Sequence, residues 1–354
     1  MVLVLFILLL SVIIVIHEFG HLIAAKIFNV YCHEFSMGMG PLLFKKKFKE
    51  TTYSLRMIPI GGFVAMAGDT DNALETSVDV KVPFERTLPG ISTYKRIIIM
   101  LAGIMMNIVL ALLISSFVFL SVGRYAYANG TVLSDVWENY PAYEAGLRAG
   151  DEIVKLEYPD LNTSIKPDSF DDISLFMYGN EDKEIVVTVK RNTSELTFTV
   201  IPEYNIDEDR YMLGMSSQGY NIVDVNLGNF IFVGADYLYS VLKTILFSLS
   251  QLFRGIGLNN LSGPVGIYQA TSEAVNMGIE SYLLMIAVIS LNVGVFNALP
   301  LPILDGGRVV IALIEKIIGK PLEEKYINIM MSASMVLLLG LMLFATMQDI
   351  LRLF

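Results

Sequence analysis

Residues 1–28 read MVLVLFILLLSVIIVIHEFGHLIAAKIF, an apolar stretch with the string HEFGH near its end. A helix needs about 20 apolar residues to cross a bilayer core, so this stretch predicts a membrane span. Residues four apart share one face of a helix, so His17 and His21 can bind one metal ion there, and Glu18 can act as general base. Ionisable side chains inside a span are costly and functional by default, which favours a metal site over a polar patch between helices.

The composition is that of a membrane protein. Hydrophobic residues make up 54% of the 354 residues and charged residues 17%, and the mean hydropathy is +0.58. The first stretch lacks the basic start of a signal peptide and carries HEFGH where a cleavage site would lie, so we expect it to be retained. Four apolar runs predict a fold of four transmembrane helices, at 1–28, 97–122, 281–301 and 331–349.

A further apolar segment, 230–253, contains Asp236 and Lys243. This pattern is typical of an amphipathic helix at the membrane interface, and we assign 228–275 to that helix and a linker. The number of spans supports this assignment. If 230–253 does not cross the membrane, 281–301 is the third span, and its end lies on the same side of the membrane as the end of the first. A fifth span would place them on opposite faces of the membrane.

The third span closes with NALPLPILDGG, residues 297–307. Pro300 and Pro302 cannot continue a helix, so we expect the chain to unwind and to free the side chain of Asp305. Catalytic zinc has three protein ligands and one open position, and Asp305 is the favoured third ligand. Iron and cobalt also accept such a ligand set. Three other candidates lie in a loop or in a predicted surface helix and rank lower: His33, Glu34 and Glu315.

The orientation follows from basic residues in the loops after the first and third spans. The positive-inside rule places both loops in the cytoplasm, and the acid-rich segment 124–227 on the outer side. With a rise of ~1.5 Å per residue, His17 lies about 24 Å from the outer end of its span, towards the cytoplasm. The net charge of -10 gives no support to nucleic-acid binding. The basic residues are Lys45, Lys46, Lys47, Lys49, Arg56, Lys81, Arg86, Lys95, Arg96, Arg308, Lys316, Lys320 and Lys325.

The outer segment 124–227 predicts a small α+β domain with a helix at 168–178. The string AYEAGLRAGDEIVKL, residues 142–156, resembles a PDZ domain, in which a helical turn and a Gly-Asp turn lead into a core strand. PDZ domains bind an extended peptide as an added strand, whereas a plain β-rich accessory domain is the alternative. The β-prone runs are 131–136, 152–157, 184–190, 195–201 and 211–215.

Between the first two spans, residues 53–69 carry β-type residues on either side of Gly61 and Gly62. They predict a hairpin or a looped strand pair associated with the membrane. A strand at membrane depth must line a cavity or pair with another strand, so the residues Gly61, Gly62, Phe63 and Val64 are candidates for binding a substrate strand. A purely structural cytoplasmic hairpin fits these residues nearly as well.

Six motifs, in order, resemble the bacterial site-2 protease family of the sigma-factor-regulating type over almost the whole chain. The resemblance implies an intramembrane zinc metalloprotease in the bacterial cytoplasmic membrane. Its substrates would be single-span membrane proteins, such as anti-sigma factors or signal-peptide remnants, trimmed beforehand by another protease. The motifs are HEFGH at 17–21, GGFVAMAGD at 61–69, AGIMMN at 102–107, the PDZ-like string, LSGPVGI at 261–267 and NALPLPILDGG.

The resemblance also assigns roles to residues. It implies zinc ligation by His17, His21 and Asp305, acid and base catalysis by Glu18, and binding of the substrate backbone or the developing oxyanion by Asn297. The chain departs from the family pattern at Ile104, which replaces a proline, and in having room for only one PDZ domain.

Two other functions use the same residues. A metal-ion transporter would need further ligands along its spans, and only one compact set is visible. An inactive scaffold that captures membrane clients through the PDZ-like domain would not need Glu18, because metal binding alone does not require it. The single cysteine, Cys32, excludes an intramolecular disulfide and is a bystander rather than a nucleophile.

Overall fold

The computed structural model describes residues 1–69, 81–128, 130–177, 183–205, 210–217, 220–255 and 261–352. The chain forms two compact units. We call Met1–Ser121, Gly228–Ile245 and Leu261–Phe354 the helical unit. Val122–Leu227 and Leu246–Asn260 form the β-rich unit.

Long apolar helices dominate the chain, which confirms the prediction of a helical membrane protein that also carries strands. Within the described ranges, five helices are long and apolar enough to cross a membrane, and the least apolar of them is Phe230–Phe253, called α5. The four-span count therefore stays a prediction, because it requires that α5 does not cross the membrane. The helices are α1 Val2–Ile27, α2 Thr93–Val122, α3 Pro141–Glu144, α4 Phe170–Met177, α5 Phe230–Phe253, α6 Pro264–Met277, α7 Ile279–Asn297, α8 Asp305–Ile318 and α9 Glu324–Leu351.

Two long strands follow α1, namely β1 Cys32–Phe48 and β2 Thr51–Met66. Residues 34–37 of β1 pair with 62–65 of β2 and also with 52–55, while 42–48 pair with 51–56. The two strands thus double back on each other and form a folded ribbon of four strand segments. We call these segments rungs, and they lie in the order 44–48, 52–55, 34–37 and 62–65. Its last rung, 62–65, has one edge that carries no strand among the residues that the structure describes.

The segment 53–69, for which the sequence predicts a hairpin or a looped strand pair, differs from that prediction in its pairing partner: 52–55 and 62–65 lie on either side of residues 34–37 instead of pairing with each other. The chain reverses at Lys49 and Glu50, where Lys49 has φ 53°, and β2 runs on through Gly61. Gly61 has φ +98°, which only glycine adopts readily, and it lies between the two parts of β2 that pair with the same part of β1. The main partner strand is residues 32–48, which the sequence did not single out.

The β-rich unit contains a four-stranded sheet with the order β6-β5-β7-β8. Its core includes Leu156, Phe176 and Val187, all fully buried. α3 and two glycine turns lead into β5, as in the predicted order of elements. Burial alone would raise the pKa of the Asp151 carboxyl in this turn, but hydrogen bonds from Arg191 and from the Arg148 backbone hold it below its usual value. The strands are β3 Arg124–Ala128, β4 Leu133–Val136, β5 Glu152–Tyr158, β6 Thr163–Ile165, β7 Ile185–Arg191, β8 Ser194–Val200, β9 Glu203–Asn205, β10 Arg210–Met212, β11 Met215–Ser217 and β12 Tyr220–Asp224.

The segment predicted as a linker after α5 contains a further helix, α6, which is capped by a residue of α9. Gly263 at the N-cap has no side chain to accept a hydrogen bond. The buried carboxylate of Asp349 accepts instead, from the N–H of Gly263 at 2.9 Å and of Gly266 at 2.7 Å. Negative charge at a helix N-terminus is stabilising, so α9 holds α6 in place.

We expect Asp349→Ala to destabilise the protein by about 1–3 kcal/mol, because it leaves the buried N–H of Gly263 and the part-buried N–H of Gly266 without an acceptor. The measurement is the apparent Tm of the purified chain in detergent. Asp349→Asn keeps an acceptor oxygen and should lose less. Asp236→Ala, at an exposed position of α5, is the control. Equal Tm values for Asp349→Ala and Asp236→Ala would contradict the capping role.

Candidate metal centre

Three side chains from α1 and α8 converge on one point. His17 Nε2 lies 3.2 Å from His21 Nε2, and Asp305 Oδ2 lies 3.0 Å from the first and 3.3 Å from the second. Tetrahedral ligands about 2.0–2.1 Å from zinc lie about 3.3 Å from one another. The triangle therefore has the size that one zinc ion requires. A hydrogen bond between these atoms is not needed to explain the short distances.

The surroundings of Asp305 fit a cation. Its Oδ2 is buried and has no hydrogen-bond partner among the described residues. A carboxylate oxygen withdrawn from water in this way needs a compensating positive charge. The donor set, two imidazole nitrogens and one carboxylate oxygen, is one that zinc accepts.

The imidazole rings are oriented by groups on α2. His21 Nδ1 lies 2.8 Å from the carbonyl oxygen of Ile99, to which it donates, so Nε2 keeps its lone pair for a metal. His17 Nδ1 lies 3.3 Å from the side-chain amide nitrogen of Asn107. The amide oxygen of Asn107 is buried and has no partner among the residues described here. Turning that amide over makes the oxygen the acceptor of the His17 Nδ1 proton, which leaves His17 Nε2 with its lone pair for a metal.

A glycine lets α2 approach the two histidines. A Cβ at Gly103 would overlap His21 Nε2 and would lie 2.8 Å from His17 Cε1. Sequence reasoning noted the string AGIMMN but assigned neither Gly103 nor Asn107 a role. The signal that could have identified them is their spacing. Gly103 and Asn107 are four residues apart and so share one helix face, as His17 and His21 do.

Asp305 is placed by the break between α7 and α8. α7 ends at Asn297, before Pro300 and Pro302, and Asp305 is the first residue of α8. A Cβ at Gly306 or Gly307 would overlap the backbone of this break. The two glycines therefore let the start of α8 pack against the end of α7, and Asp305 points to α1.

A cavity of about 330 Å³ opens beside the three converging side chains. Glu18 and Asn297 line it, together with residues 62–64, which belong to the last rung of the folded ribbon. A Cβ at Gly62 would lie 3.6 Å from Cγ of Glu18, so the strand passes directly beside this carboxylate. Gly61, the fourth candidate in this strand, is the bend itself and does not line the cavity.

The lower-ranked ligand candidates have other partners. Glu34 accepts from Arg56 at 3.0 Å, and Glu315 accepts from Arg96 at 3.0 Å. His33 packs its ring against Tyr31. Burial raises the pKa of the Cys32 thiol to about 11, so this thiol is protonated and unreactive at neutral pH.

Comparison with known proteins agrees with this geometry. A family model described as peptidase family M50 matches residues 5–341. The chain is 35% identical to a putative zinc metalloprotease of Clostridium perfringens, over 96% of this chain and 96% of that protein. It is 33% identical to a putative zinc metalloprotease of Clostridium acetobutylicum, over 96% of this chain and 94% of that protein. It is 29% identical to the regulator of sigma-W protease RasP of Bacillus subtilis, over 99% of this chain and 98% of that protein. With its matched length, its apolar helices and the convergence of His17, His21 and Asp305, the chain belongs to peptidase family M50, the site-2 proteases, and is a zinc metalloprotease of the membrane.

Proposed function

We propose that the protein hydrolyses peptide bonds within the transmembrane segment of single-span membrane proteins. The observation that carries this proposal is the position of the metal-binding triangle. Two of its three members, His17 and His21, belong to the apolar helix α1, and it shares a cavity with the strand segment 62–64. A protease for soluble substrates has no need to build its site inside a helix that can cross a membrane. The relative RasP is named a regulator of sigma-W protease, which supports membrane-bound regulators of sigma factors as substrates.

His17, His21 and Asp305 would hold the zinc ion, because their donor atoms form a triangle of the required size. Bound there, zinc supplies Lewis acidity towards water and the substrate carbonyl. Glu18 lines the same cavity and would take a proton from the attacking water, then deliver it to the leaving nitrogen. Asn297 also lines this cavity, and its side-chain N–H would donate to the carbonyl oxygen as negative charge develops there.

A transmembrane helix hides its carbonyl groups in hydrogen bonds, so the substrate must unwind before it can be cut. The edge of Gly62, Phe63 and Val64 would hold it extended by backbone pairing. Gly61 contributes the bend that brings this edge to the cavity. The backbone groups of an added strand would lie next to Glu18, where a Cβ at Gly62 would be only 3.6 Å from Cγ.

The β-rich unit would serve substrate recognition as a single PDZ-like domain outside the cytoplasm. The order of α3, the glycine turn and β5 supports this assignment, as does the antiparallel sheet whose edge strands are β6 and β8. Its ligand would be an extended peptide, such as the end that another protease leaves on a trimmed substrate. We place the protein in the bacterial cytoplasmic membrane with four spans, the metal site towards the cytoplasm.

The decisive experiment uses the purified full chain in detergent and a single-span reporter substrate that carries a different soluble tag at each end. We expect zinc-loaded protein to cut the reporter once, and mass spectrometry to place the cut within the reporter's membrane segment. Removing zinc with a chelator should abolish cleavage, and adding zinc back should restore it, because the triangle would hold the Lewis acid.

A reporter whose membrane segment is replaced by a soluble helix is the matched control, and it should stay intact. Cutting confined to the tags, or equal cutting of both reporters, would contradict intramembrane proteolysis. Cleavage that survives chelation would indicate a contaminating protease.

A further inference from the structure

One face of α8 is apolar and exposed. Val310, Leu313, Ile314 and Ile317 recur at the spacing of a helical face, and we call them the apolar face of α8. Each of the four residues is 38% exposed or more, and Ile317 is 85% exposed. A contiguous apolar surface of this kind marks a contact with a membrane or with another molecule.

The opposite side of α8 is fixed to the helical unit. Ala312 is buried there. Glu315 Oε2 accepts a hydrogen bond from Arg96 Nη1 of α2 at 3.0 Å, and Oε1 accepts from the N–H of Leu322, before α9, at 3.2 Å. These contacts hold α8 by one side and leave its apolar face open to whatever surrounds the protein.

The position of α8 in the bilayer follows from its length and from its first residue. A helix of 14 residues is about 21 Å long, too short to cross a core of about 30 Å. Asp305 Oδ2 at its start lies 3.0 Å from His17 Nε2. In the proposed orientation His17 is about 24 Å from the outer end of its span, and hence about 6 Å from the cytoplasmic boundary of the core. Amphipathic helices lie in this zone, with the apolar face buried about 5–10 Å into the boundary between headgroups and acyl chains.

We propose that the apolar face of α8 binds acyl chains at the cytoplasmic surface of the bilayer, and that this contact holds Asp305 in position beside His17 and His21. Acyl chains are already present at this depth, whereas a protein partner would have to displace them. Lys316 and Lys320, both exposed, stand at the end of α8, and their charge complements that of lipid phosphate groups. Since Asp305 is the first residue of α8, a displacement of this helix moves the carboxylate away from the two histidines.

Probe accessibility tests the position of α8 without relying on cleavage. The purified full chain is placed in nanodiscs of phosphatidylcholine and phosphatidylglycerol, with a fluorescent NBD label at Val310→Cys or at Ile317→Cys. The native Cys32 is buried and should stay unlabelled. We expect lipids with a nitroxide on the acyl chain to quench both labels, and aqueous iodide to quench neither. Asp160→Cys, at an exposed position of the β-rich unit, is the control and should show the reverse pattern.

The two labelled positions separate a helix in the membrane interface from one that leaves the membrane. Residues 310 and 317 are about 10 Å apart along the helix axis, so a helix that projects into the cytoplasm would bring the label at 317 into water. Quenching by iodide of that label, or of both labels, would overturn the proposal.

Zinc affinity, measured with a chelating dye in the same nanodiscs, tests the coupling to Asp305. Val310→Gln combined with Ile317→Gln should weaken zinc binding by about tenfold or more, because metal affinity depends on the groups that orient the ligands. Val310→Leu combined with Ile317→Leu keeps the face apolar and should retain wild-type affinity. Val336→Gln combined with Ile329→Gln is the matched control, since it makes the same two changes seven residues apart at exposed positions of α9.

Unchanged zinc affinity in the glutamine variant of α8, or an equal loss in the α9 control, would overturn the proposal. If that α8 variant does not fold, the labels still decide where the helix lies. Labels in the acyl region and the expected zinc affinities, in a chain that cuts no reporter, would contradict the proposed function and support this inference. Labels in water, in a chain that cuts the reporter within its membrane segment, would refute this inference alone.

Discussion

Replacing Glu18 by glutamine is expected to abolish cleavage while zinc stays bound. Glu18 lines the cavity beside His17, His21 and Asp305 but is not one of these three converging side chains. Glutamine has nearly the same size, and it can neither take a proton from water nor give one to the leaving nitrogen. General acid and base catalysis contributes about 10²–10⁴-fold in rate, and a loss of this order is expected. Initial cleavage rates of the single-span reporter and zinc per chain measure the two quantities.

Glu323→Gln is the matched control, since it makes the same chemical change at an exposed position before α9. It should cut at the wild-type rate. Two results would remove Glu18 from its assigned role. One is undiminished cleavage by Glu18→Gln, and the other is a loss of zinc that by itself explains the lost activity.

Replacing Gly103 by alanine is expected to weaken zinc binding and to suppress cleavage together. The added Cβ would overlap His21 Nε2, the atom that would bind the metal, and would lie 2.7 Å from His21 Cε1. Either the ring turns away from its ligating position or α2 moves, and the contact between Asn107 and His17 is then lost as well. Disturbing the groups that orient metal ligands lowers metal affinity by about 10–100-fold. Competition with a chelating dye measures the zinc Kd.

Gly340→Ala is the matched control for this substitution. Gly340 also lies in a long apolar helix, α9, but a Cβ there would meet nothing within 4 Å. This variant should keep wild-type zinc affinity and activity. If Gly103→Ala also kept them, the close approach of α2 to the two histidines would be wrong.

Local spacing was enough to predict several features of the site. The pair His17 and His21 could be read from a helical period, and a helix in this stretch was secure because 28 mainly apolar residues have few other stable conformations in a bilayer. Asp305 could be selected because the prolines before it force a break in the chain. The structure places these three side chains together, as expected, and their roles at the metal remain proposals.

Pairing over long distances could not be read in the same way. The folded ribbon joins 34–37 to two different parts of β2, and no local pattern specifies a strand with two partners. Register in such a ribbon depends on which faces are buried, which is a property of the whole fold. For the same reason the sequence did not show that residues 34–37 would lie between 52–55 and 62–65.

The sequence by itself determined the membrane character, the metal-binding residue types and the family resemblance, because each follows from composition, helical period or a short motif. Only the tertiary structure decided what surrounds them: Gly103 and Asn107 behind the histidines, the edge at Gly62 beside Glu18, and Asp349 at the start of α6. These residues act through contacts with elements remote in the chain. Such contacts depend on how helices cross and pack, and the spacing within one segment carries no information about them.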